Sequence, residues 1–321
     1  MRTPPCLGGS SFPRRRRSRL GRVGAAAVLL AALAGGTATA QQQFQFFLSA
    51  ANAAGARVTD LRAEEVAVAE SGRPARVVRL DPVAWPVKVT VMVDNGMGTG
   101  NFLVQYRNGL KGFFAALPTG VEASLLTLSP QPRWVVRRTN DRVQLTSGVD
   151  RISPDSGGAR LLDALIEESD RIEKENKDAT SYFPVVVIMS TTGPEGSTPR
   201  DRDLDRMVRQ FKSRAARVHV IMLGTNQTSP TSIVGARQVQ AGKLLADETR
   251  GRYEAIAAAT RISTLLPEYG EIVANAHQFQ SQQYMVTVER PAGATGALGE
   301  LSMGLTRPGL TFAATPEGLM P

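Results

Sequence analysis

Thiol and imidazole chemistry are almost missing from this sequence, which holds one cysteine and two histidines in 321 residues. Cys6 lies ahead of an apolar run, where no lipid-anchor signal would put it, so no disulfide and no thiol mechanism is expected. His219 alternates with Val218 and Val220 in an apolar strand pattern, and His277 sits on a helical stripe ahead of Phe279. Both read as structural. There is no G-x-S-x-G elbow and no H-E-x-x-H pair, which removes the commonest hydrolase arrangements. Long hydrophobic runs are also lacking. The stretch Val23–Ala34 covers 12 residues, short of the roughly 20 that a membrane-spanning helix needs. With 42% hydrophobic and 21% charged residues, the chain is neither disordered nor fibrous, and it is long enough for one large domain or two smaller ones.

An excess of positive charge over the body of the chain is missing too. The formal charge is +9, but residues 1–40 carry seven arginines and no acid, which leaves 31 basic and 29 acidic residues in 41–321. A net charge of +2 does not favour nucleic acid as a partner. The arginines belong to a leader. Arg14 to Arg22 precede the apolar stretch, and Ala38-Thr39-Ala40 offers a small-residue cleavage site before Gln41. The expectation is a signal peptide over 1–40 and an exported product, periplasmic or extracellular, without cysteine or a membrane span. The export route stays open, because four consecutive arginines match many basic patterns. Asn226-Gln227-Thr228 fits a glycosylation acceptor, a pattern too short to weigh.

From Trp85 to about Phe279, strand and helix patterns alternate. Val87–Val93 is β-branched and ends at Asp94-Asn95-Gly96, and then Phe102, Tyr106, Leu110, Phe113 and Leu117 recur at helical spacing. Ala123–Leu128, Val185–Met189, Val218–Leu223 and Arg252–Ile256 predict further strands. Helices are predicted around Leu161–Ile172, Leu204–Phe211 and Ile272–Phe279, with Pro267 in the first turn of the last. The predicted fold class is α/β, a doubly wound and mostly parallel sheet. Glu167, Glu168, Asp170, Arg171, Glu173 and Lys174 are read as the solvated face of the Leu161 helix, and Glu64-Glu65 as another solvated pair. Arg133, Arg137, Arg138 and Arg142 around Trp134 read as an exposed strand edge.

The flanks differ. Phe44–Ala50, Val66–Glu70 and Arg76–Leu80 at one end, and Gln283–Glu289, Gly299–Leu305 and Gly309–Ala314 at the other, are short strand patterns separated by turn residues. The predicted organisation is an N-terminal β segment over 41–84, an α/β domain over 85–280 and a C-terminal β segment over 281–321. The two β segments are expected to pack as one small antiparallel unit, sandwich-like in outline.

Ligands of open α/β sheets bind beyond the carboxyl ends of the strands, which directs attention to 94–100, 156–163 and 190–197. The strand Val87–Val93 followed by Asp94-Asn95-Gly96-Met97-Gly98 is similar to the D-x-S-x-S opening of a von Willebrand factor type A domain. Gly157-Gly158-Ala159-Arg160-Leu161-Leu162-Asp163-Ala164-Leu165 resembles the G-G-T-x-L-x-D-A-L segment of that family. Ser190-Thr191-Thr192-Gly193 resembles its S-D-G strand end, and Thr249-Arg250-Gly251-Arg252-Tyr253 its last turn. Ahead of the domain, Val58-Thr59-Asp60-Leu61 and Val66-Ala67-Val68-Ala69-Glu70-Ser71-Gly72-Arg73-Pro74 resemble the lead-in of exported bacterial members. The resemblance runs from about Val58 to the C-terminus.

The resemblance implies a metal-ion-dependent adhesion site holding Mg²⁺ or Mn²⁺ on oxygen ligands. Of the five ligand positions this sequence keeps Asp94. Gly96 and Gly98 replace the two serines, Ala159 the threonine and Thr192 the second Asp. A hard cation needs a near-octahedral set of oxygens, so the expectation is no metal and no cofactor, with Asp94 the ligand if there is one. Thr99, Asp155 and Ser156 are the nearby oxygens that could rescue such a site. The bland role of Asp94 is to accept backbone N–H bonds and cap the following helix. A dinucleotide turn at Gly96-Met97-Gly98-Thr99-Gly100 fails, because Asn101 occupies the place of the third glycine and Glu122 begins the second strand instead of ending it.

The expected function is therefore an exported, non-enzymatic module that binds a protein ligand on the rim of the sheet. The expected contact residues are Asp94, Asn95, Gly96, Met97, Gly98, Ser156, Ala159, Arg160 and Thr192. The alternatives are a Mg²⁺- or Mn²⁺-dependent adhesion protein, and a scaffold that binds through its β unit. An enzyme is the remote one. The sequence leaves the partner and the oligomeric state open.

Overall fold

A computed structural model describes residues 42–177, 181–225, 233–280 and 282–315. The leader and the Asn226 acceptor lie outside them. The elements in order are β1 (Gln43–Asn52), β2 (Val66–Glu70), β3 (Arg73–Val83), β4 (Val87–Val93), α1 (Leu103–Ala116), β5 (Glu122–Thr127), β6 (Arg133–Thr139), α2 (Arg142–Asp150) and α3 (Leu161–Glu175). They continue with β7 (Phe183–Thr191), α4 (Asp201–Ser213), β8 (Arg217–Leu223), α5 (Ile233–Glu248), β9 (Tyr253–Ile256), α6 (Ile262–Gln280), β10 (Gln283–Glu289), β11 (Leu301–Leu305) and β12 (Leu310–Thr315). No helix among the described residues is long and apolar enough to cross a membrane.

One sheet has the order β6-β5-β4-β7-β8-β9, parallel throughout except for the edge strand β6. Its central strands are apolar on both faces because helices cover both. Val185, Val187 and Met189 pack with Tyr106, Leu110, Leu145, Leu265 and Val273 beneath α1, α2 and α6. Val186 and Ile188, pointing the other way, pack with Leu165, Met207, Phe211 and Leu245 of α3, α4 and α5. This is the doubly wound sheet that the sequence predicts.

Helices α1 and α6 meet at backbone distance. A Cβ on Gly109 would stand 2.6 Å from the Ile262 carbonyl, and one on Gly270 2.7 Å from the Phe113 carbonyl. Pro267 lies inside α6, not in its first turn as expected. Its ring fills the space over Gly112, where a Cβ would come within 2.5 Å of Pro267 Cγ. Close packing against α1 thus accompanies the hydrogen bond that a proline within a helix forgoes.

The second sheet is antiparallel, in the order β11-β2-β3-β10-β1-β12, and so combines three strands from each flank. β1 pairs with both β10 and β12, and β2 with β11. One long strand, β3, pairs with β2 through its first residues and with β10 through the rest. The result is a single curled sheet instead of two stacked ones, with β11 and β12 drawn near each other. Phe46, Leu48, Leu61, Val68, Tyr284, Val286 and Val288 fill the inside. Ser71 and Gly72, both at positive φ, form the two-residue hairpin between β2 and β3.

Polar ties span the same flanks. Arg290 grips both carboxylate oxygens of the buried Glu70, while Arg307 reaches Asp60 and Glu65. The Tyr284 hydroxyl accepts the Leu61 N–H at 3.0 Å. Glu65 is therefore an ion-pair residue, not merely solvated. The opposite side of β1 presents Phe47, which meets Trp85 and Phe183 with ring centroids 5.6 and 5.7 Å away. That aromatic cluster joins the antiparallel sheet to the amino-terminal edge of the parallel one.

Glu168 also departs from expectation. It is buried, accepts the Thr90 hydroxyl at 2.8 Å and is clasped by Arg171, which also bonds Glu175 at 2.7 Å. A carboxylate can be buried only when it is paired and hydrogen-bonded, and the arginine one turn along supplies the counter-charge. Arg138 and the Tyr182 hydroxyl complete the cluster at Glu175.

Candidate functional site

Strands β4 and β7 are neighbours at the place where the strand order reverses, and Asp94 and Thr191 stand at their carboxyl ends. The carboxylate of Asp94 is almost fully buried. One oxygen accepts the Gly96 N–H at 2.8 Å, and the other accepts the Thr191 N–H at 3.1 Å and the Thr191 hydroxyl at 2.7 Å. Burial pushes its pKa upward, against the pull of those donors. Asp94 does accept backbone N–H bonds, as its bland reading required, but not from a helix start. The loop closes on itself first, because the Thr99 hydroxyl and N–H both donate to the Gly96 carbonyl, and α1 begins only at Leu103.

The residues around Asp94 do not fit a divalent cation. A Cβ on Gly96 would stand 2.8 Å from the Gly157 carbonyl and 3.1 Å from the Asp94 carboxylate, so no serine fits there without a backbone shift. Gly98 sits at φ +88°, where a serine would be strained. Ala159 is buried and bridged to the loop after β7, its N–H donating to Pro194. The Thr192 hydroxyl accepts the Thr225 N–H at 3.0 Å, turned from Asp94 toward the end of β8. The three rescue oxygens fare no better. Thr99 is spent on Gly96, Asp155 accepts the Gly157 N–H at 2.7 Å, and Ser156 is exposed. Among the described residues no group of three or more His, Cys, Asp or Glu side chains could hold a metal.

The remaining rim residues divide into a base and a surface. Asn95 is part of the base, its side chain bridging the Ser153 carbonyl and the Ser129 N–H while its own carbonyl accepts from Asp155. The Met97 N–H donates to Gly157, which ties the first loop to the segment before α3. The surface consists of Met97, Ser156 and Arg160, all exposed. Arg160 pairs with Asp163 at 3.0 Å and lines a cleft of about 460 Å³ with Pro130, Pro132 and Ile166. Of the expected contact residues, then, Asp94, Asn95, Gly96 and Ala159 are buried supports.

Three supports carried no sequence signal strong enough to single them out. Thr191 takes over the contact to Asp94, although the aligned position is one residue later. Glu195, a lone acid in a Gly/Pro/Ser segment, accepts the Leu161 N–H at 3.2 Å and the Ser197 N–H at 2.9 Å, and so caps α3 across the rim. Burial raises its pKa, and the charge of Asp94 adds to the rise. Gln238 of α5 donates to the carbonyls of Thr191 and Gly193 at 2.8 and 2.9 Å. His219 is remote from all of these. Burial pushes it down to about 3, its Nδ1 accepts the Arg252 N–H, and its ring stands edge-on to Tyr269.

No protein-family model matches the chain, and no curated protein does. Among solved structures it is similar to a von Willebrand factor type A protein from Catenulispora acidiphila, at 14% identity over 86% of this chain and 74% of that one, TM-score 0.47. It is also similar to the vWF domain of the type V pilus tip protein Mfa5 from Porphyromonas gingivalis, at 10% identity over 61% and 97%, TM-score 0.43. The pilus adhesin SpaC from Lactobacillus rhamnosus GG matches at 13% identity over 76% and 46%, TM-score 0.49. In the order of its motifs, and in the doubly wound sheet that carries them, the chain resembles a von Willebrand factor type A domain.

Proposed function

We propose that the chain is an exported, non-enzymatic interaction module that engages a protein ligand through the rim, without a metal. One observation carries the reading: three donors of the protein itself satisfy the Asp94 carboxylate, in a loop with no room for a serine at Gly96. Internal bonds thus hold the rim loops in one arrangement, and a contact surface already in that arrangement binds at a lower ordering cost. Met97, Ser156 and Arg160 stand exposed over this base, and the adjoining cleft of about 460 Å³ gives a partner side chain a place to enter. Export rests on the pattern of residues 14–40.

Thermal melts of the full chain in EDTA, and then in millimolar Mg²⁺, Mn²⁺ or Ca²⁺, test the metal-free reading. A cation present at 100 times its dissociation constant adds about 2.7 kcal/mol, a shift of several degrees. Superimposable melts are expected. A clear upward shift overturns the reading and makes metal-bridged adhesion the leading function.

A further inference from the structure

A cleft of about 480 Å³ opens where the antiparallel sheet meets α4, at the amino-terminal edge of the parallel sheet and so at the far end of its strands from the rim. That volume is within the ordinary range of small-molecule sites, which favour junctions between lobes. One wall is apolar. Phe47 and Met285 face each other across β1 and β10, and Trp85 meets Phe47 edge-on at 5.6 Å. The other wall is cationic, with Arg209, Lys212 and Arg214 at the end of α4 and just beyond. Among the described residues no acidic side chain lines the cleft. Glu173 takes the Arg214 guanidinium in two bonds of 2.8 Å, and Glu248 takes Lys212 at 2.6 Å. Arg209 is exposed and has no acidic partner among the described residues.

We propose that this cleft binds a small amphipathic carboxylate. Its apolar body lies on Phe47, Trp85 and Met285, and its head group meets Arg209. The apolar wall removes hydrocarbon from water, and the arginine supplies a charge-assisted, bidentate bond that a neutral or cationic head cannot make. Lys212 and Arg214 are each paired with a glutamate and add no net charge, so Arg209 supplies the positive potential that disfavours a cationic head. The site shares no residue with the rim, so its test stands apart from that of the metal-free reading.

The sequence holds two tryptophans, so Trp134→Phe in the full chain leaves Trp85 as the single reporter inside the cleft. Emission is followed while decanoate, decanol or decyltrimethylammonium is added below its micelle concentration. Decanoate is expected to give a saturable change, with half-saturation roughly tenfold or more below that of the ammonium compound, as loss of a charge-assisted bond implies. Arg209→Gln is expected to weaken decanoate severalfold and to leave decanol in place. Isothermal titration of the unaltered chain makes the same comparison should Trp134→Phe fold poorly. No saturable response, equal binding of all three amphiphiles, or a decanoate curve untouched by Arg209→Gln overturns the proposal.

Discussion

Gly96 and Gly98 show why a missing ligand residue is not simply an empty position. At Gly96 the obstacle is space, since the Gly157 carbonyl occupies the place of a side chain, and at Gly98 it is the positive φ. Gly96→Ser is therefore expected to lower stability by about 1–3 kcal/mol, the ordinary cost of overpacking, and to leave the melt indifferent to Mg²⁺. A stable variant with a Mg²⁺-dependent melt would show that the loop rearranges around a restored ligand. Asp94→Ala leaves the Gly96 and Thr191 donors without their buried acceptor and is expected to cost about 2–4 kcal/mol, read from urea denaturation. The sequence exposed the loss of the serines, because those are visible position by position. It hid the substitute, because Thr191 is one residue from the aligned place and only the turn of β7 shows which of two threonines faces Asp94.

At the scale of elements, strands were easier to read than helices. β7 is buried on both faces, so its run Val185–Met189 is unbroken, and β4 and β8 are still mostly apolar, whereas α2 has few apolar residues and those of α5 do not form a clean stripe. In α5 Leu244 and Leu245 are adjacent, and Leu244 faces solvent. For α2 a signal was present. Asp141 accepts the Val143 and Gln144 N–H groups at 2.8 and 3.1 Å, a helix cap legible as an acid just ahead of the helix. The contact of α1 with α6 was hidden because it depends on what glycine lacks. Gly270→Val is expected to separate the helices at a cost of at least about 2 kcal/mol, checked by its thermal midpoint. The ties between flanks lend themselves to a titration. Arg290 and Arg307 hold Glu70 and Glu65 down to about 2, against an ordinary 4.5. Between those values the unfolded chain binds more protons than the folded one, so stability is full above about 4.5 and falls as the pH drops through about 2. In a urea series over this window, Glu70→Gln is expected to flatten the slope. An unchanged slope would show that the Arg290 pair contributes nothing.

Taken whole, the molecule closes its antiparallel sheet with strands some 240 residues apart, such as Gln43 and Glu289. Pairings this remote form late, because loop closure precedes any gain from them. Ending the chain at Gly299 removes β11 and β12 and bares the edges of β2 and β1. The shortened protein is expected to associate at concentrations where the full chain remains dispersed, as light scattering would show, because open edges pair with one another. A β unit built from both flanks was legible in their short strand patterns. The order within the sheet was not, since it depends on β3 being long enough to serve two neighbours.

The antiparallel pairing of β1 with β12 also fixes how the protein responds to tension. Thr315 lies opposite Phe47 and Leu310 opposite Asn52, so a pull applied between Gln43 and Thr315 enters both strands from the same end. The ladder then opens like a zipper, bond after bond, instead of resisting in shear along its whole length. β12 is stripped from β1 while the α/β domain, lying between β3 and β10 in the chain, is still unloaded.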